Sequence, residues 1–275
     1  MNRFRHACLA SLLALATLTA CSSSPEQRAA QPLPVAAQQR FDAIAARINA
    51  YALPDTHKAL FLQHARAVEA DTRFQGISLL DGLGFSFMEK RDPDALFWQG
   101  KPPSEGGVPP TLLERGLVRL PPAAWRQHIE LIRPFMRAVS TDDCRIITAD
   151  LITARDWMRM ELLAMSAMSA EELGQALQLT RDAMLAHIRQ SPAVAKPDEA
   201  GLERARAQFA RVVTEELMQH PQRYPMAQHD ENALDRAVSS MFCNPELDLL
   251  GDMLALPQPD GDQLLLDLLL EALEP

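Results

Sequence analysis

Residues 169–189, SAEELGQALQLTRDAMLAHIR, carry the clearest helical pattern in the chain. Ser169 and Glu172 stand three residues apart at its start, which is the spacing of a capping box. Several apolar or small residues of the stretch recur at intervals of three or four, so they share one side of a helix. They are Leu173, Leu177, Thr180, Met184 and Ile188. The stretch predicts an amphipathic helix that ends before Pro192.

The same periodicity recurs along most of the chain. Alanine (41 residues) and leucine (40) dominate the composition, whereas valine, isoleucine and threonine together number 28. This balance favours helices over strands. Further helices are predicted near residues 36–51, 55–70, 122–139, 141–168, 198–219, 231–243, 246–255 and 261–273.

We therefore predict an all-α fold, with a single domain of roughly eight to eleven helices over residues 36–275. Small and aromatic residues do not recur at the period of about 34 residues that tetratricopeptide arrays require, so the prediction is a non-TPR bundle. Residues 90–110 contain five prolines and three glycines and are predicted to be a loop.

The charge balance limits the classes of partner. The chain has 27 basic and 36 acidic residues, a net charge of −9, and no long basic cluster. A nucleic-acid groove needs a positive field that gathers phosphates, so nucleic acid is not an expected partner. No phosphate-binding glycine loop, dinucleotide fingerprint or nucleophile elbow occurs, and we predict no cofactor.

The first 21 residues have the organisation of a secretory signal. Arg3, Arg5 and His6 precede an uncharged stretch of 14 residues, 7–20, which is too short to span a hydrocarbon core of about 30 Å. The stretch ends in Leu18-Thr19-Ala20-Cys21.

The LTAC sequence resembles the lipobox of bacterial lipoproteins. The resemblance implies that residues 1–20 are a signal peptide and that the mature chain begins at Cys21, whose sulfur and amino group carry acyl chains. Ser22 stands where an aspartate typically retains such proteins in the inner membrane. The resemblance therefore implies an outer-membrane lipoprotein that faces the periplasm, anchored in the inner leaflet. Residues 21–35 then form the lipidated cysteine and a flexible, proline-containing tether.

Three residues of one predicted helix are candidates for catalysis. His57 and His64 are seven residues apart and share a face, and Glu69 lies near the end of the helix. They are the residues to suspect if the protein is a cell-envelope hydrolase that acts on peptidoglycan or depends on a metal. The spacing is not that of an HExxH helix, so we predict that these residues bind no metal.

The end of the chain combines acidic residues with leucines. From Ala237 onward there are eight acidic residues and no lysine or arginine. In the last predicted helix, leucines cover all but one side, and an apolar arc of that width must be buried in the domain or against a partner. We favour burial in the domain.

The acidic, tethered body favours a function in protein binding, as an assembly factor or as an inhibitor of the kind that immunity proteins represent. We expect a protein partner in the cell envelope. The alternative is the helical hydrolase that uses His57, His64 and Glu69, and a structural spacer is a third possibility.

The signal-peptide prediction leaves Cys144 and Cys243 as the cysteines that are neither removed nor lipidated. In an oxidising compartment an even pair predicts a disulfide, and buried free thiols are the alternative. Titration of the denatured mature chain should detect no free thiol before reduction and two after it. Two free thiols before reduction would contradict the bridge.

Overall fold

The computed structural model describes residues 32–74, 112–138, 140, 162–163, 165–220, 241, 247–271 and 273. Cys21, Cys144 and Cys243 lie outside the described residues, as do the predicted 90–110 loop and most of the predicted helices 141–168 and 231–243. Within the described residues the fold is all-α, as predicted, and no strand is present.

Eight α-helices and one turn of 3₁₀ helix, Thr72–Phe74, have defined bounds in the described part of the chain. The helices are α1 (Val35–Ala50), α2 (Asp55–Glu69), α3 (Leu112–Leu117), α4 (Pro122–Ala138), α5 (Ala170–Arg189), α6 (Glu199–Gln219), α7 (Leu249–Ala255) and α8 (Asp260–Glu271).

The predicted capping box at the start of α5 is confirmed. The Ser169 hydroxyl accepts a hydrogen bond from the backbone N–H of Glu172 at 3.2 Å, and the Glu172 carboxylate accepts one from the backbone N–H of Ser169 at 2.7 Å. At the other end Gln190 adopts a left-handed conformation, with φ of 51°, and its N–H bonds to the carbonyls of the last turn. The two ends of α5 are therefore fixed by local interactions.

Helix α5 packs against different neighbours on opposite sides. Leu173, Leu177 and Met184 lie in a buried cluster with residues of α1 and α2. Leu179, on the opposite side of α5, lies in a second cluster formed with α3, α4, α6, α7 and α8. The helix that the sequence predicts to have one buried side is therefore buried on two.

The short helix α3 was not predicted, because six residues are too few to show a period. It lies directly against α5. A Cβ atom built on Gly116 would overlap the carbonyl group of Ala183 and would lie 2.9 Å from the Ala183 Cα. The indole N–H of the buried Trp125 donates to the Leu117 carbonyl at 2.8 Å, which ties α4 to the end of α3. Glycine at 116 thus permits the closest helix contact in this region.

This contact predicts the effect of a single methyl group. Gly116→Ala should lower the free energy of unfolding by at least about 3 kcal/mol, because the atoms in its way are backbone atoms that a rotamer change cannot move. Gly174→Ala is the matched control, since nothing lies within 4 Å of its added Cβ. That variant should gain about 0.5–1 kcal/mol from helix propensity. Equal denaturant midpoints for the two variants would contradict the contact.

Candidate functional site

His57 lies on the buried face of α2 and is bound to the segment that precedes α5. Its Nε2 is 2.9 Å from the carbonyl oxygen of Met168, and its Nδ1 is 3.3 Å from the Thr56 hydroxyl. A carbonyl can only accept, so Nε2 carries the proton and Nδ1 accepts from Thr56 in the neutral ring. Both ring nitrogens of His57 are therefore occupied, and the contact with Met168 fixes α2 against the start of α5.

His64 is buried two turns further along α2, on the side that faces α5. Burial, and secondly the positive charge of Arg181, lower the pKa of His64 to about 4. Its Nε2 is buried and has no hydrogen-bond partner within the described residues. At neutral pH the imidazole of His64 is therefore neutral.

Glu69 is paired with α1. Its Oε2 accepts from the Nε of Arg40 at 2.9 Å and lies 2.8 Å from an Arg40 terminal nitrogen. The Glu69 side chain is only 6% exposed. One oxygen of this carboxylate is therefore used to hold α2 against α1.

The three candidate residues do not form one site. His57 and His64 face α5, whereas Glu69 lies about 140° further around α2 and contacts α1. No group of three or more metal-ligating side chains occurs in the described ranges. The arrangement links α2 to its two neighbouring helices.

Sequence reasoning missed a buried charged group beside His64. Asp71, which follows α2, accepts from the backbone N–H of Arg73 at 3.1 Å and from its Nε at 2.8 Å. Arg181 of α5 lies 3.5 Å from the same carboxylate. The hydrogen bond from Arg73 is the main cause that lowers the pKa of Asp71 to about 2. The Asp-x-Arg spacing directly after a helix was the available sequence signal.

A second charged group holds the C-terminal segment in place. We call it the arginine clamp: Arg126 and Arg133 of α4 and Arg204 and Arg206 of α6, each paired with an aspartate of residues 247–271. Their partners are Asp262, Asp248, Asp260 and Asp267, respectively.

The most buried pair of the arginine clamp joins α4 to α8. The Arg126 Nε is 2.5 Å from Asp262 Oδ1, and the same guanidinium donates to the Leu254 carbonyl at 2.7 Å. Arg133 pairs with Asp248, which also accepts the Gly251 N–H at 3.1 Å and so caps α7. These two carboxylates are therefore engaged within the fold, where they fix the positions of α7 and α8 relative to α4.

The pairs with α6 lie nearer to solvent. Arg204 donates to both carboxylate oxygens of Asp260, at 2.7 and 2.8 Å, and Arg206 lies 2.5 Å from Asp267. Asp260 and Asp262 both lie in the first turn of α8, and each has an arginine partner.

The leucine arc of the last helix is packed inside the protein, as we favoured. Leu264, Leu265, Leu266 and Leu269 are buried in the cluster that includes α4 and α6. Leu268 is 39% exposed.

None of the described helices has the length and apolar character needed to cross a membrane. No protein-family model, curated protein or solved structure matches the chain.

The buried His64 predicts how stability depends on pH. Its pKa is about 4 in the folded protein and 6.5 when unperturbed, so the unfolded chain takes up a proton first as pH falls. The free energy of unfolding should therefore decrease between pH 6.5 and 4, by up to about 1.4 kcal/mol per pH unit for this group. His64→Gln should reduce that slope, measured by denaturant titration.

A second buried histidine should contribute to the same slope, because burial also lowers the pKa of His128 to about 4. His128→Gln should reduce the slope in the same pH range, and the double variant should reduce it further. Asp71 also contributes to the free energy of unfolding, because the pKa of its carboxyl lies below the usual value. This contribution should be lost only below about pH 4. A slope that His64→Gln leaves unchanged would contradict the buried neutral imidazole.

Proposed function

We propose that the chain is a lipid-anchored protein-binding module of the bacterial outer membrane, which faces the periplasm and acts in assembly or inhibition. One observation carries the choice of a binding module over a hydrolase. Both ring nitrogens of His57 and one carboxylate oxygen of Glu69 are engaged by Met168, Thr56 and Arg40, and the third candidate, His64, is buried on a different side of α2 from Glu69.

The anchor rests on the sequence alone. The charged start, the short uncharged stretch and the LTAC sequence at residues 18–21 together resemble a lipoprotein signal. Several acyl chains on Cys21 would hold the protein firmly, whereas a single chain gives only marginal membrane binding.

The charge of the mature chain supports a basic partner. Removal of Arg3 and Arg5 with the signal peptide leaves 25 basic and 36 acidic residues, a net charge of −11. The arginine clamp neutralises much of the C-terminal segment. Glu199, Glu203 and Glu215 of α6 are exposed and form no ion pair within the described residues. Such a field attracts and orients a positively charged protein.

The anchor is tested by labelling growing bacteria that express the full chain with an alkynyl fatty acid. The wild type should be labelled and should sediment with outer-membrane density, because Cys21 carries the acyl chains. Cys21→Ser should lose both the label and the membrane fraction. An unlabelled wild type would disprove the anchor.

Binding is distinguished from hydrolysis by a second pair of measurements on Glu69→Gln, which keeps a hydrogen-bond acceptor for Arg40. We expect crosslinking of intact envelopes to give the same discrete adduct with a basic protein for this variant and for the wild type. The yield should fall as ionic strength rises, because charge steers the association. Release of soluble fragments from purified peptidoglycan by the wild type, lost in Glu69→Gln, would instead establish the hydrolase.

A further inference from the structure

Positive side chains gather where α3 meets the C-terminal end of α5. Gly116 packs on Ala183, so α3 and the turn after it run along the last two turns of α5. Arg115 and Arg119 flank this contact, and His187 lies one turn beyond Ala183 on α5. Arg115 is exposed, whereas Arg119 and His187 are half-buried.

Arg119 is held in place by uncharged groups. One terminal nitrogen donates to the Pro192 carbonyl at 3.0 Å, and the other donates to the side-chain oxygen of Gln190 at 2.6 Å. Gln190 in turn donates to the His187 carbonyl at 2.8 Å. In contrast to the arginine clamp, this network fixes a guanidinium whose charge has no carboxylate partner among the described residues.

Two nitrogens beneath this surface have no partner among the described residues. They are the Nε of Arg119 and the Nδ1 of His187, and both are buried. A buried donor without an acceptor costs about 1–3 kcal/mol, so native proteins usually fill such positions with an ion or a water molecule.

The charges of the cluster also favour a negatively charged ligand. Burial lowers the pKa of His187, and the charges of Arg115 and Arg119 lower it further. Neither arginine forms an ion pair with a carboxylate in the described part of the chain. In a protein of net charge −9, this end of α5 thus gathers positive side chains that no carboxylate of the described residues pairs with.

We propose that Arg115, Arg119 and His187 form a binding site for a phosphate group. Arg119 is held in one orientation by Pro192 and Gln190, and the exposed Arg115 is free to turn its N–H donors toward the same ligand. Guanidinium groups suit the oxygens of a tetrahedral phosphate. The phosphate can belong to a free phosphorylated compound or to a phospholipid headgroup, because the site recognises the same group in both. This inference does not depend on the proposed function.

The test is a titration of the full chain in neutral detergent with inorganic phosphate, at constant ionic strength set with chloride, by isothermal calorimetry. Arg115→Gln is the informative variant, because Arg115 is exposed and has no partner in the described residues whose loss would disturb folding. Arg211→Gln is the matched control: it removes the same charge from an exposed site on α6.

We expect saturable phosphate binding by the wild type, weakened about tenfold by Arg115→Gln and unchanged by Arg211→Gln, since one charge-assisted hydrogen bond is lost. The absence of saturable binding, equal weakening by both variants, or equally tight binding of acetate would overturn the proposal. The last result would show a general anion surface and not a phosphate site.

The source of the phosphate is decided by flotation with vesicles of phosphatidylglycerol and phosphatidylcholine, using the Cys21→Ser full chain so that no acyl chain contributes. A headgroup ligand is supported if the protein floats with the vesicles, if Arg115→Gln abolishes this flotation, and if inorganic phosphate inhibits it. Phosphate binding without flotation supports the same site with a free phosphorylated ligand. Flotation unaffected by Arg115→Gln, together with no effect of this variant on phosphate binding, overturns the site.

Discussion

The packing of α5 is the constraint on which the rest of the described structure depends. Its two sides belong to different buried clusters, so α1 and α2 are held on one side and α3, α4 and the C-terminal helices on the other. The contact of Gly116 with Ala183 sets the distance between α3 and α5, and Trp125 then fixes α4 to the end of α3. Interiors are close-packed, so a change at this contact is felt in both clusters.

The four arginines of the clamp hold the C-terminal segment in a way that lysine could not. The chain contains 23 arginines and 4 lysines. A guanidinium can bind a carboxylate and a backbone carbonyl together, as Arg126 does with Asp262 and Leu254. Buried ion pairs contribute little net stability, because desolvation opposes the attraction, but breaking one leaves an uncompensated buried charge. The leucines of α8 supply the apolar burial, and the arginine clamp fixes where the helix docks.

Local features of the sequence were sufficient to predict most helices and the capping box, because periodicity and caps involve residues fewer than five apart. The burial of Leu265 and Leu269 was predictable for the same reason, although the width of the arc left open whether the domain or a partner would cover it. The arginine clamp was not predictable. Arg126 and Asp262 are separated by 136 residues, and no short-range pattern connects them. Helix α3 was not predictable for a related reason, because its six residues derive their helical structure from contact with α5, which is distant in sequence.

The candidate catalytic residues show why residue type alone does not identify a site. A histidine or glutamate on a helix face has the same sequence signal whether it binds a substrate or a neighbouring helix, and the difference lies in which atoms are already bonded. His57 and Glu69 are bonded, and the charge of Arg181 is balanced by Asp71. At the other end of α5, Arg119 is oriented by neutral groups while its charge stays uncompensated. A guanidinium that is held in place by neutral groups keeps its charge for a further partner, which is why we propose the phosphate site at the C-terminal end of α5. The bonded atoms of His57 and Glu69 are used within the fold instead.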